Sequence, residues 1–335
     1  MVLNKASGYK HRAEDITKGE NMQELSLKEL LEAGCHFGHQ TSRWNPKMKP
    51  YIYTAKGGVH IINLDLTVSS AVRAYKFLAD QVALGNMVLF VGTKRQAADL
   101  IREQAERVGM FYVNQRWLGG MLTNFRTIKA SIDRLQTLYQ RREAGDFAKL
   151  IKKEALGLER EIEKLEHSLG GIKTMTKIPS AVFIIDPKTE YIAFKEAQKL
   201  KIPVIAITDT NSDPDGIDFV VPANDDAIRS ISILTAYFAD ACAEGAKRRE
   251  TLIREEVAKE AAQEKASGQA APSSRVQEKK VTDKARAYVA DARPDAKRGP
   301  RKGHGGTGKG VHDKVSHGGA EKKKTEPKKE ANNGQ

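Results

Sequence analysis

Residues 181–221 read AVFIIDPKTEYIAFKEAQKLKIPVIAITDTNSDPDGIDFVV, and this stretch decides the fold class. AVFIID (Ala181–Asp186) and VIAIT (Val204–Thr208) are runs of mostly apolar residues, too short for helices and rich in β-branched residues, so both read as strands buried on two faces. Between them Ile192–Leu200 carries helical spacing, and FVV (Phe219–Val221) supplies a third strand. The same alternation lies upstream. A helix carries Val68, Val72, Tyr75 and Leu78, with Thr67 as its expected cap; Met87–Gly92 is a strand, Arg95–Val108 an amphipathic helix, and Phe111–Val113 a short strand. A helix from Asp226 to about Lys247 closes the series. Strands alternating with helices predict an α/β domain with a parallel sheet covered on both faces.

Two stretches depart from this pattern. Ile128, Ile132, Leu135 and Leu138, then Ile162, Leu165 and Leu169, recur at three- and four-residue steps on either side of the turn Ala144-Gly145-Asp146. Charged helices with narrow apolar seams joined by a turn predict an antiparallel coiled-coil arm over residues 126–170, inserted between the two parts of the α/β domain, 22–125 and 171–248. Upstream, Ser26 and Glu29 form a capping-box pattern for a short helix to Ala33. Tyr51–Tyr53 and Val59–Leu64 read as strands joined through Lys56-Gly57-Gly58.

The ends differ in composition. Residues 1–21 are polar, with no hydrophobic period and no secretory signal, and Met22 is an alternative start. Residues 249–335 begin as a solvated helical continuation to Ala266, then turn rich in Lys, Gly, Ala, Glu and Pro, a composition that predicts disorder. About ten of the thirteen net positive charges fall beyond Ala246, so the folded part is nearly neutral and any polyanion contact there must come from local patches. Two cysteines, Cys35 and Cys242, do not make a disulfide framework or a thiolate zinc site, which fits a reducing compartment. No apolar run approaches the ~20 residues of a membrane span.

The chemistry-bearing motifs are few. The segment from Leu30 to Leu64 interleaves His36, His39, Trp44, Lys47, Lys49, Tyr51 and Tyr53, a mixture suited to an anionic polymer with stackable bases, or equally to a hairpin with core aromatics and solvated lysines. Lys94 and Arg95 stand at a strand-to-helix turn, where phosphate also meets backbone amides. Arg116, Arg126 and Lys129 flank Trp117 and Phe125, whose rings are expected to pack at the base of the arm. Asp186 and Asp209 each lie at the carboxyl end of a strand, where doubly wound folds gather ligands; with His39 folded over that edge they could hold a divalent ion, the alternative being helix capping and turn formation.

An enzyme or nucleotide-binding α/β protein is the competing reading. No G-x-G-x-x-G opens a helix after a strand, and GHGGTGK (Gly303–Lys309) is followed by Gly310 where a phosphate loop needs Ser or Thr. DTNSDPDG (Asp209–Gly216) lacks the closing Glu of a calcium loop and reads as an Asx-capped turn.

Four blocks occur in the order of a known family: residues 34–53 (GCHFGHQTSRWNPKMKPYIY), 91–128 (VGTKRQAADLIREQAERVGMFYVNQRWLGGMLTNFRTI), 152–175 (KKEALGLEREIEKLEHSLGGIKTM) and 179–231, which contains the opening stretch. Together they resemble the bacterial form of the S2 family of small-subunit ribosomal proteins over about Met22–Ala246. Cys35 and Gln115 depart from the residues more usual there. The resemblance implies a flavodoxin-like three-layer αβα domain with an inserted antiparallel coiled-coil arm, a cytoplasmic place on the small ribosomal subunit, and no enzymatic activity. It implies binding to small-subunit ribosomal RNA and to neighbouring ribosomal proteins, with help in docking ribosomal protein S1, and gives no role to DNA or membrane. The expected phosphate contacts are Arg43, Lys47, Lys49, Lys94, Arg95, Arg116, Arg126 and Lys129. No cofactor is required, and a structural divalent metal at His39, Asp186 and Asp209 is the single inorganic group expected.

Overall fold

The computed structural model describes residues 25–266, all within one compact unit. The expected amino-terminal extension, the alternative start and most of the basic carboxyl-terminal segment, including the GHGGTGK motif, lie outside the described residues. Strands β4 (Val88–Val91), β5 (Phe111–Val113), β6 (Ala181–Ile185), β7 (Val204–Thr208) and β8 (Phe219–Pro222) follow β1 (Phe37–Gln40), β2 (Ile52–Lys56) and β3 (Val59–Ile62). The helices are α1 (Leu27–Glu32), α2 (Leu64–Ala83), α3 (Ala98–Arg107), α4 (Phe125–Glu143), α5 (Lys152–Leu169), α6 (Tyr191–Leu200) and α7 (Ile228–Ala266).

β4 to β8 form one parallel sheet in the order β5-β4-β6-β7-β8. Numbered from its first strand this is 2-1-3-4-5, the flavodoxin-like order. Every residue of β4, β6 and β7 is buried, and alternate side chains feed opposite faces. Phe90, Phe183, Ile205 and Ile207 face a core shared with α2, α3 and α7; Leu89, Val91, Val182, Ile184 and Ala206 face one shared with α6 and the start of α4. On the first face the Phe90, Phe183 and Phe238 rings run in series at 5.3 and 5.1 Å. This is why the strands carry no polar alternation: neither face meets water. α2 and α7 approach closely at Gly245, where a Cβ would lie 2.4 Å from the Ala79 carbonyl oxygen.

α4 and α5 pack on each other through Leu135, Leu138, Phe147 and Ile162, while Ile128, Ile132 and Leu169 at the other end join the sheet core. Gly145, with φ +74°, makes the turn. Arg134 donates two hydrogen bonds to Glu161, and the Tyr139 hydroxyl donates to Glu166 at 2.8 Å.

The amino-terminal segment forms a second, antiparallel sheet in the order β1-β3-β2. The hairpin through Gly57-Gly58 is as expected; β1 is an addition, too short and too polar to register as a period. Two capping expectations are corrected. Asn63 caps α2, accepting from the Asp65 amide at 3.0 Å, while Thr67 is buried in the first turn and donates to the Pro222 carbonyl at 2.5 Å. Ser26 stands at the start of α1 without a side-chain capping bond. Among the described residues no helix is long and apolar enough to cross a membrane.

Candidate functional site

The carboxyl edge of the parallel sheet gathers the ends of four strands. Asp186 directly follows β6, in a left-handed conformation (φ 58°). Asp209 follows β7, Asp225 and Asp226 follow β8 closely, and Lys94 lies beyond β4. β1 folds over this edge because Gly38 has no side chain: a Cβ there would lie 2.6 Å from Thr210 Cγ2. The His39 amide donates to Thr210 Oγ1 at 2.9 Å and the Asn45 amide to the Thr210 carbonyl at 2.8 Å, so the small sheet is latched to the loop after β7.

Lys94 fills the centre of this edge. Its ammonium lies 3.0 Å from Asp186, 3.0 Å from Asp225 and 2.9 Å from Asp226. Burial pulls the Lys94 pKa down, but the carboxylates, Asp225 foremost, more than reverse this and hold the ammonium charged. Asp186 is pushed up by burial and pulled further down by Lys94, the Thr189 hydroxyl and the Lys188 amide, leaving it a firm carboxylate. Asp225 is fully buried and, Lys94 apart, its oxygens find no partner. Burial and the charges of Asp186 and Asp209 push its pKa up to about 7, against the pull of Lys94. The His39 ring lies between Asp209 (Nδ1 to Oδ2, 3.0 Å) and Asp226 (Nε2 to Oδ2, 3.4 Å). The Asp209 hydrogen bond raises its pKa above the ordinary value, with burial opposing.

Two expectations change here. Lys94 does not face outward for phosphate; three carboxylates from two other loops engage it. Asp186 does not join His39 and Asp209; it belongs to Lys94 and to the turn that it caps, and Asp225 takes its place. Ligand atoms of His39, Asp209 and Asp225 all lie within 4.8 Å of one another. One imidazole and two carboxylates, one with an unpartnered oxygen, suit a divalent cation, provided His39 gives up its proton.

A second buried carboxylate, which the sequence reading missed, shapes the loop before α4. Glu196 on α6 accepts from Trp117 Nε1 at 3.1 Å, from the amides of Gly120 (2.6 Å), Leu122 (3.0 Å) and Thr123 (3.0 Å), and from the Thr123 hydroxyl at 3.0 Å. Burial pushes its pKa up; these donors, the Thr123 amide foremost, outweigh that and bring it below the usual glutamate value. Trp117 is thereby committed to the core, as expected, and Arg116 and Arg126 bracket a fixed loop.

The other residues expected to meet phosphate fall into two groups. Lys47 is held at 2.7 Å by both Asp213 and Asp215 of the DPDG turn, and Lys129 pairs with Asp133 at 3.0 Å. Arg43, Lys49, Arg95, Arg116 and Arg126 are exposed and make no side-chain hydrogen bond or ion pair with the described residues. They occupy loops and the first turn of α4, around a sheet whose ligand edge is closed by its own side chains.

A fold of this order, with its usual ligand crevice filled by an internal lysine and unpaired cations on its loops, defines an α/β scaffold that presents charge to a partner. A family model described as Ribosomal protein S2 matches residues 30–245. The chain is 60% identical over 225 residues to the small ribosomal subunit protein uS2 of Sorangium cellulosum (strain So ce56), an alignment spanning 67% of this chain and 81% of that one. It is 57% identical over 233 residues to uS2 of Geotalea uraniireducens (strain Rf4), spanning 70% and 91%, and 56% identical over 228 residues to uS2 of Roseiflexus sp. (strain RS-1), spanning 68% and 87%. The chain belongs to the ribosomal protein S2 family, as its four sequence blocks implied. It is a structural, non-enzymatic component of the cytoplasmic small ribosomal subunit.

Proposed function

We propose that the chain binds small-subunit ribosomal RNA through Arg43, Lys49, Arg95, Arg116 and Arg126, with Lys129 at the margin, and helps to dock ribosomal protein S1. The observation that carries the RNA reading is the group of five exposed cations, in loops and in the first turn of α4, with no carboxylate partner among the described residues. In a folded part that is nearly neutral overall, exposed cations without a carboxylate partner are what a phosphate backbone meets. The Glu196 anchor supports it further: it fixes the loop that Arg116 and Arg126 bracket, so that ordering this loop costs little on binding.

The α4–α5 hairpin is proposed as a coiled-coil arm reaching a partner, supported by its separate apolar cluster and charged outer faces. The S1 role rests on the family resemblance. His39, Asp209 and Asp225 are proposed as holders of a structural divalent ion.

Small subunits stripped of this protein by high salt test the RNA reading. Each of the five cations neutralised is expected to lower the salt slope of re-binding by about one unit. Unchanged affinity and slope after neutralising all five would place the RNA surface elsewhere. Subunits rebuilt without the protein are expected to recruit S1 poorly; full S1 occupancy on them would remove the docking role.

A further inference from the structure

We propose that the groove between the start of α4 and the end of α6 seats a single strand of RNA, with phosphates on Arg126, Lys199 and Lys201 and a base against the Phe125 ring. This deepens the RNA-binding reading and rests on it, adding a second wall of cations and a place for a base.

The sequence that walls the groove is free of acids. Residues 116–132 bring the loop before α4 and its first turns, 172–185 the approach to β6 and that strand, and 197–208 the end of α6 and β7. None of the three contains Asp or Glu, and together they carry seven Lys or Arg. The one acid that lines the groove, Asp133, is tied to Lys129 at 3.0 Å. α6 and its cap have acids of their own, and both turn inward. Glu190 accepts from the Thr93 amide and hydroxyl at 2.7 and 2.6 Å, and Glu196 holds the loop before α4. The outward side of α6 and its flanks therefore keeps only cations: Lys188, Lys195, Lys199 and Lys201. Lys195 is occupied, donating to Gln198 at 3.0 Å with its ammonium over the Tyr191 and Phe194 rings. Lys199 and Lys201 make no side-chain hydrogen bond or ion pair with the described residues.

The floor is apolar. Leu200, between those two lysines, is 38% exposed, and Ile178 is 43% exposed. Half-buried Phe125 and buried Leu122 line the groove with them. Arg126 and Lys129, three residues apart on α4, line it from the other side. Glu196 pins the two walls to each other, because it stands on α6 and accepts from the Leu122 and Thr123 amides, both at 3.0 Å. The seat is thus formed before a ligand arrives, which lowers the ordering cost of binding.

Cations around an apolar floor distinguish between ligands. A duplex offers its phosphates and hides its base faces, whereas an unpaired strand offers both, and its bases stack on aromatic side chains. An acidic protein segment would match the charge. RNA is favoured because Arg126 belongs both to this groove and to the exposed cations that already carry the RNA reading, so a strand that meets Arg126 has the groove as its next surface.

The test uses full-length chains re-bound to salt-stripped small subunits. Lys199→Gln with Lys201→Gln is expected to lower the salt slope by about 1.4, the value for two contacts to a single strand. Phe125→Leu keeps apolar bulk and removes the π face; it is expected to weaken binding by about 5- to 100-fold with the slope unchanged, and Phe125→Tyr to retain it. Thermal unfolding of Phe125→Leu matching wild type separates lost stacking from lost packing. Ile178→Glu, at an exposed position, reads the floor independently and is expected to weaken binding by about tenfold or more. Short-wavelength ultraviolet cross-linking of the wild-type particle should leave a nucleotide adduct on the peptide containing Phe125. An unchanged slope in the double lysine variant overturns the seat, as does wild-type affinity in Ile178→Glu. The RNA reading then survives if neutralising Arg43, Lys49, Arg95 and Arg116 still lowers the slope. A cross-link from Phe125 to a ribosomal protein assigns the groove to a protein contact and also overturns the seat. Salt-independent binding of the wild-type chain would reject the RNA reading itself.

Discussion

Removing the Glu196 carboxylate is expected to be among the most damaging single changes outside the sheet core. Five donors converge on its two oxygens. The Trp117 indole and the Leu122 amide are buried, so in Glu196→Ala they lose their acceptor with no water in reach. A stranded buried donor costs about 1–3 kcal/mol. The Gly120 amide and the Thr123 amide and hydroxyl are half-buried and regain water at a smaller cost, so the expected total is about 3–5 kcal/mol. Glu196→Gln keeps one acceptor oxygen but turns an NH2 toward donors, for an expected loss of about 2–3 kcal/mol. The pH dependence has a definite sign. The folded pKa of Glu196 lies below the usual glutamate value, so its contribution is fully present above the unfolded value of about 4.3 and is lost as pH falls through the folded value. Urea unfolding at several pH values reads both effects: Glu196→Gln should be destabilised at neutral pH, and part of the acid-induced loss should vanish. A Glu196→Ala chain within 1 kcal/mol of wild type, in the range typical of ordinary surface substitutions, would refute the anchor, as would an unchanged acid limb in Glu196→Gln.

Three further outcomes are expected. Lys94→Met leaves Asp186, Asp225 and Asp226 facing one another without a cation; breaking a buried pair costs about 3–5 kcal/mol, and denaturant unfolding that shows less than 1 kcal/mol would mean water already screens the cluster. Ile162→Asp puts a charge into the α4–α5 cluster and should raise proteolysis and hydrogen exchange in α4 and α5 while leaving the sheet protected; loss of all cooperative unfolding would show the hairpin is not separable. Zinc bound by extensively dialysed protein, measured by elemental analysis, should fall in Asp209→Asn/Asp225→Asn and persist in Asp186→Asn, and binding should tighten as pH rises because His39 must release a proton; equal occupancy in all three would remove the site.

How much the sequence disclosed depended on the range of each interaction. β4, β6 and β7 were legible because burial on both faces leaves an unbroken apolar run in four or five consecutive residues. The cap of α2 was misread by one turn: Asn63 and Thr67 both offer a capping oxygen, and the choice is made by the Pro222 carbonyl, far away in the chain. Lys94 looked like an exposed turn lysine because its acids come from other loops, Asp226 being 132 residues on. Asp225 lies three residues beyond β8, so the rule that singled out Asp186 and Asp209, each directly after its strand, passes it over. Glu196 gave no signal at all. On α6 it is one charged residue among several, and its five bonds reach back 73 to 79 residues.

The latch between the amino-terminal sheet and Thr210 also sets a timetable for synthesis. The His39 amide and the threonine hydroxyl it needs are separated by 171 residues. At about 5–20 residues per second, the acid-free ribbon from Ala33 to Leu64 is made roughly 9–34 s before its anchor. During that interval Gly38 has no loop to close on. A cationic, aromatic segment then waits on the surface of a translating particle that is itself mostly RNA. Its maturation is therefore governed by the arrival of β7, and a pause in translation before Val204 prolongs the time in which the ribbon can pair with the wrong polyanion.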